Sequence, residues 1–235
     1  EQRYRNVVED QTEFICRFLP DGTHVFVNNA YCRYFGLTRD EILGHRFRPN
    51  IPAEDKELLE RFYTSLTPDH PVDIIEHRII MPDGRTRWQR WSDRAVFDPS
   101  GTVTEYQSVG RDITEHKRAE EALRESEAKY RILADTSPEM IYLIDPEGRI
   151  QYVNTSSARA FRTTPEDLVG KQISDLFPPD IALNHLEGIR KVISTRQPVI
   201  HEIAEVLPSG KIWIEVRLSP VIDHENRVIG VLGLS

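Results

Sequence analysis

Chemistry needs side chains that hold a metal, move a proton or attack a carbon, and in this chain such residues are dispersed. The eight histidines (His24, His45, His70, His77, His116, His185, His201 and His224) form no HExxH pair and no cluster with metal-ligand spacing. They read as surface or structural residues. Cys16 and Cys32 are separated by 15 residues, which fits neither a CxxC knuckle nor a disulfide framework. They read as small buried hydrophobes in a reducing, cytosolic setting. No GxxxxGK(S/T) phosphate loop, GxGxxG fingerprint or GxSxG elbow occurs, so nucleotide binding, phosphotransfer and acyl transfer find no residues to carry them. The chain is expected not to be an enzyme in its own right.

The surrounding composition narrows the partners. The chain has 235 residues, 39% hydrophobic and 29% charged, enough apolar material for one large or two small cores. Its net charge of −8 repels phosphate backbones and anionic lipid, so neither nucleic acid nor direct membrane contact is expected. No apolar run approaches the roughly 18–20 residues that span a bilayer. Glu1 in place of an initiator Met reads as an excised fragment.

Sliding the chain along itself by 126 residues reveals one unit written twice. Between Tyr4–Pro52 and Tyr130–Pro178, 13 of 49 positions are identical, among them Glu13/Glu139, Gly22/Gly148, Val27/Val153, Asn28/Asn154, Phe35/Phe161 and Gly44/Gly170. Pro82-Asp83-Gly84-Arg85 meets Pro208-Ser209-Gly210-Lys211 at the same offset, and Val103 meets Val228 after a one-residue slip.

Each copy opens with a hairpin, Phe14 to Phe18 and Met140 to Ile144 turning through Pro-Asp-Gly or Pro-Glu-Gly into a second strand. Asn28 and Asn154 stand where N-caps belong, and Thr38-x-x-Glu41 and Thr164-Pro165-Glu166 start a second short helix. Longer helices are predicted over Glu54–Leu66 and Ile181–Thr195, followed in each copy by three strands. The order β-β-α-α-α-β-β-β implies an α+β fold, an antiparallel five-stranded sheet with helices on one face. Boundaries at 1–113, 114–134 and 135–235 give a first domain with an N-terminal helix, a helical linker and a second domain. In the linker, Ala119, Leu123, Ser126, Tyr130 and Leu133 alternate steps of four and three, a heptad seam fit for a homodimer through the linker and N-terminal helices.

Both halves resemble PAS domains. The residues that carry the likeness are Phe26-Val27-Asn28-Asn29-Ala30, Gly36-Leu37-Thr38-x-x-Glu41-Ile42-Leu43-Gly44, Pro82-Asp83-Gly84 with Trp88, and Gly110-Arg111-Asp112-Ile113-Thr114. Tyr152-Val153-Asn154, Glu166-Asp167-Leu168-Val169-Gly170 and Pro208-Ser209-Gly210 repeat them, with Arg162 standing where the first copy has Gly36. The resemblance implies the sensory, signal-relay and dimerisation region of a cytoplasmic two-component histidine kinase. Its kinase domain would lie in cis outside these residues, and a small ligand or redox state would be relayed through a coiled-coil helix.

It also frames the cofactors. Flavin photosensors of this family carry an adduct-forming Cys three residues after the Gly of a Leu-Gly pair. Here Gly44 is followed by His45-Arg46-Phe47 and Gly170 by Lys171-Gln172-Ile173, so a photoadduct is not expected. Haem-binding members carry a proximal His on the long helix, a place His185 occupies, which makes a haem-based gas or redox sensor one alternative. A ligand-free structural relay that only binds protein is another. For a small organic ligand between sheet and long helix, the apolar wall would be Ile189, Ile214 and Val216. If the Trp88 parity of its strand faces inward, Arg90 or Arg94 would meet a carboxylate.

Overall fold

The computed structural model describes residues 7–46, 49–208 and 210–235. Tyr4, Arg5, Phe47 and Ser209, and most of the expected N-terminal helix, fall outside these; residues 7–9 are helical. The chain divides into two compact units, Glu1–Ala122 and Leu123–Ser235.

The first unit runs β1 (Phe14–Phe18), β2 (His24–Val27), α1 (Asn29–Phe35), α2 (Arg39–Ile42), α3 (Ala53–Ser65), β3 (Val72–Ile80), β4 (Thr86–Phe97) and β5 (Val103–Asp112). The helix α4 (Thr114–Thr136) leads on into the second unit. There follow β6 (Ile141–Ile144), β7 (Ile150–Val153), α5 (Thr155–Ala160), α6 (Pro165–Leu168), α7 (Ile173–Leu176), α8 (Pro179–Thr195), β8 (Val199–Leu207), β9 (Gly210–Ile222) and β10 (Val228–Leu234). The sheets are antiparallel, ordered β2-β1-β5-β4-β3 and β7-β6-β10-β9-β8, so both copies share one topology. The predicted elements stand, with α7 an additional turn of helix between α6 and α8.

Local chemistry explains the junctions. Asp21 accepts the Thr23 amide at 2.9 Å, and Gly22 takes φ 91° to close the first hairpin. Asn28 Oδ1 accepts the amides of Ile15 and Tyr31, each at 3.0 Å, so one buried side chain pins β1 to the start of α1. Asn154 Oδ1 does the same for Ile141 and Ser157, also at 3.0 Å. Gly36 ends α1 at φ 69°, and Arg162 takes φ 56° at the matching place, so the second copy keeps the left-handed turn without the glycine.

The hairpins leading into the long strands differ by one residue. Five residues separate Ile80 from its partner Thr86, but four separate Val206 from Lys211. Past that slip, Gln89, Trp91 and Asp93 stand where the second copy has Ile214, Val216 and Leu218.

Candidate functional site

In the second unit the inward faces of β6, β7 and β9 meet α6, α7 and α8 around a cavity of about 60 Å³. Its wall is apolar, with Ile144, Ile173, Phe177, Ile214 and Val216 prominent and His185 and Ser157 supplying polar groups. The His185 ring lies 4.6 Å from that of Phe177. Of the expected apolar wall, Ile214 and Val216 line the cavity, while Ile189 is packed in the surrounding core. Side chains at residues 211 and 212 lie outside the description.

One water needs on the order of 10–15 Å³ by this measure, so the cavity holds about four, or one very small molecule. Haem does not fit. His185 faces the space a proximal ligand would use, but Phe177 and the apolar wall close it far below the size of a tetrapyrrole. Flavin-type chemistry has no thiol here either: Cys16 lies in the other unit, where burial pushes its thiol well up.

The cavity wall is hydrogen-bonded to the linker helix. Ser157 Oγ donates to Asn154 Oδ1 at 2.9 Å, and Asn154 Nδ2 donates to Ala134 O at 2.8 Å and Glu139 O at 2.9 Å. Asp135 Oδ1 caps α5 by accepting the Thr155 amide and hydroxyl, both at 2.8 Å. The last turn of α4 is therefore fastened to the residues that form the cavity's floor.

In the first unit the Trp88 parity of β4 faces outward. Gln89, Trp91, Asp93 and Ala95 are buried, so Trp88, Arg90 and Arg94 lie on the outer face and do not reach the core. Both parities of β4 carry a tryptophan, and the one-residue difference between hairpins decides which enters: Trp91 lies so close over Gly110 that a Cβ there would stand 2.5 Å from its ring. Trp88 instead packs beneath two cations, Arg78 at 5.7 Å and Lys117 of α4 at 5.3 Å, and Lys117 Nζ reaches Glu76 at 2.8 Å. Arg90 stands 3.9 Å from Glu76 and Arg94 is exposed. Trp88 and Glu76 seat the linker's first turns on the sheet through Lys117, and neither Arg90 nor Arg94 faces the interior where a ligand carboxylate would lie.

The start of α4 is tied down as firmly. Asp112 Oδ1 accepts the Thr114 amide at 2.8 Å, while its Oδ2 accepts from Tyr34 OH at 3.0 Å and Arg87 at 3.2 Å. Burial pushes the Asp112 carboxyl up, but these donors outweigh it and hold its pKa below the usual carboxylate value. Burial likewise pushes the Tyr34 hydroxyl up to about 12. Further along the helix, Ala119, Leu123, Tyr130 and Leu133 are exposed and Ser126 is half-buried.

The interior of the first unit holds polar residues that no motif in the sequence marks. Asp93 is 1% exposed and Ser108 2%, directly opposite each other on β4 and β5, with Cys16 next in the row on β1. Desolvation pushes the Asp93 carboxyl up to about 6, the Ser108 and Tyr63 hydroxyls opposing it. The signal was an Asp in the stretch Trp91-Ser-Asp-Arg-Ala95, legible as inward only with the parity known.

Two α+β units, each a five-stranded antiparallel sheet with its core beneath helices and joined by one helix, define a tandem of one repeated fold. The chain belongs to the PAS family: a family model described as "PAS fold" matches residues 8–118 and 134–235. It is 32% identical over 123 residues to the two-component sensor PprA of Pseudomonas aeruginosa, covering 52% of this chain and 13% of that protein. It is 24% identical over 177 residues to the sensor protein FixL of Bradyrhizobium diazoefficiens, covering 75% of this chain and 35% of that one. The chain thus spans about a third or less of the length of these relatives. Among solved structures, the sensory box histidine kinase/response regulator from Burkholderia thailandensis is similar at 21% identity and TM-score 0.45, covering 55% of this chain and 98% of that one. Among the described residues, no helix is long and apolar enough to cross a membrane.

Proposed function

We propose that this chain is the sensory and relay region of a cytoplasmic two-component histidine kinase, and that the second PAS domain senses a small apolar ligand in its cavity. One observation carries the reading: Ser157, in the cavity wall, is hydrogen-bonded to Asn154, which holds the last turn of α4 through Ala134. A ligand that presses on α5 changes the geometry of Ser157 and hence the seat of the helix. Only a ligand that fits one seat better than the other shifts the balance between them. No bond is made or broken, and signalling is a change of population.

Residues 1–113 and 135–235 act as the two domains and 114–134 as the signalling helix. The exposed stripe of Ala119, Leu123, Tyr130 and Leu133, with Ser126, pairs with its copy in a homodimer, so a movement at either end of the helix becomes a rotation or register shift passed to a kinase domain in cis.

The test is uptake of xenon, a small apolar probe, followed by methyl NMR on the whole chain. Shifts saturating at the methyls of Ile144, Ile173, Ile214 and Val216, and lost in Ile214→Phe, support the reading. Absence of uptake favours the alternative, a ligand-free relay that only binds protein.

A further inference from the structure

The first domain carries a buried acid, Asp93, where the second has Leu218 of its apolar core. At the positions of Tyr142, Gly233 and Leu218 in the second sheet, the first has Cys16, Ser108 and Asp93, adjacent across β1, β5 and β4. The Ser108 and Tyr63 hydroxyls face the Asp93 carboxylate but leave its hydrogen bonding incomplete; a buried carboxylate short of donors is costly, and proteins keep such a group where something else completes it. Among the described residues, no hydrogen-bond partner reaches Asp93 Oδ1 or Ser108 Oγ, although both atoms are sealed from solvent.

Beside this pair stand three aromatic rings. The Phe18 and Tyr106 rings stack with centroids 5.2 Å apart, and Tyr63 of α3 meets both edge-on, at 6.2 Å from Phe18 and 5.0 Å from Tyr106. Tyr63 and Tyr106 both feel the Asp93 charge, which helps push their hydroxyls up, behind the larger effect of burial. A carboxylate supplies charge and a hydrogen-bond acceptor, a serine hydroxyl a second acceptor, and aromatic faces a surface that attracts cations.

We propose that the interior of the first domain is a second ligand site, of opposite chemistry to the cavity of the second, built to receive a small organic ammonium. Its N–H groups bond Asp93 Oδ1 and Ser108 Oγ, and its carbon-bearing end lies against Phe18, Tyr63 and Tyr106. The rings are closed on one another, so Tyr63 swings aside with α3 as the ligand enters. The site stands on residues of the first domain alone and does not rest on the reading of the cavity in the second. An anion, the ligand that inward-facing arginines would have taken, is repelled here.

Ethylammonium chloride is the probe, titrated into the whole chain by calorimetry and thermal unfolding against sodium chloride at equal ionic strength. Saturable binding with a raised Tm is expected for ethylammonium and not for tetramethylammonium, which has the charge but no N–H. Asp93→Asn should weaken binding by about 10- to 100-fold, as loss of a charge-assisted hydrogen bond does. The same variant should unfold at a higher temperature than wild type without the probe, because its buried charge is gone. Ser108→Ala, a smaller change at the same site, should weaken binding by roughly fivefold to tenfold. The proposal is overturned if wild type shows no saturable response, if the response survives Asp93→Asn, or if tetramethylammonium binds as well. It is overturned too if Asp93→Asn lowers the unliganded Tm, the mark of a carboxylate already satisfied by ordered water.

Discussion

Asn154 Nδ2 donates to the carbonyl of Ala134 at 2.8 Å, across the boundary between the core of the second domain and the final turn of the linker helix. The same side chain accepts from Ile141, from the Ser157 amide and from its hydroxyl, and is wholly buried. In the first domain Asn28 Nδ2 likewise donates to Val8 O at 3.1 Å and Glu13 O at 2.9 Å. Each domain thus takes hold of the segment that enters it. Asn154→Ala should destabilise the second domain by about 2–4 kcal/mol, the sum of several buried hydrogen bonds at ~1 kcal/mol each. Urea unfolding monitored within that domain checks this, and a cost below 1 kcal/mol would mean the clasp is ornamental.

Arg162 sits at φ 56° where its counterpart Gly36 sits at φ 69°. A side chain in the left-handed region is strained by about 1 kcal/mol, partly offset because glycine gives the unfolded chain more freedom. Arg162→Gly is therefore expected to leave stability unchanged or raise it by up to about 1 kcal/mol, whereas Gly36→Arg should lower it. Paired thermal melts read both signs, and a loss from Arg162→Gly would show that the arginine side chain contributes contacts of its own.

Asp93 gives stability a distinctive pH dependence. Its folded pKa, about 6, lies above the ordinary 3.8, so the folded state binds the proton more tightly than the unfolded one. The protonated form favours folding, and that stability is lost as pH rises from about 4 through 6. Two units correspond to a loss on the order of 3 kcal/mol. Buried His24 and His77, whose pKa values burial lowers, act in the opposite sense over part of the range. The difference between wild type and Asp93→Asn cancels them, and it should grow from pH 4 to pH 7 in favour of the variant. A difference independent of pH would show that Asp93 titrates normally.

The linker stripe makes a prediction about assembly. Leu123 is 61% exposed, Tyr130 69% and Leu133 58%. Sedimentation of wild type should show a dimer at tens of micromolar, and Leu123→Glu should shift it to monomer without changing the fold of either domain. A wild-type monomer at that concentration would remove the seam.

The order of elements, the repeat and the caps were legible because they rest on local rules: Asn28, Asn154, Gly22 and Thr38 do in the structure what their types predict. The linker helix was legible from its lack of Gly and Pro. The face of β4 was not, because Trp88 and Trp91 compete for the core and a one-residue difference in a hairpin settles it, a fact carried by the pairing Ile80–Thr86 rather than by any residue of β4. With that parity hidden, nothing marked Asp93 as buried, and Arg90 and Arg94 stood as candidates for a ligand. The haem alternative failed on volume, since a histidine at the right place on α8 says nothing of the space before it.

The claim at the centre of this account is that filling the cavity of the second domain changes how α4 is seated. Amide hydrogen exchange at residues 132–136 and 154–157, with and without xenon, tests it most directly. The account predicts altered exchange at both stretches in wild type and none in Ile214→Phe. Xenon that enters the cavity and leaves both stretches unchanged would contradict it.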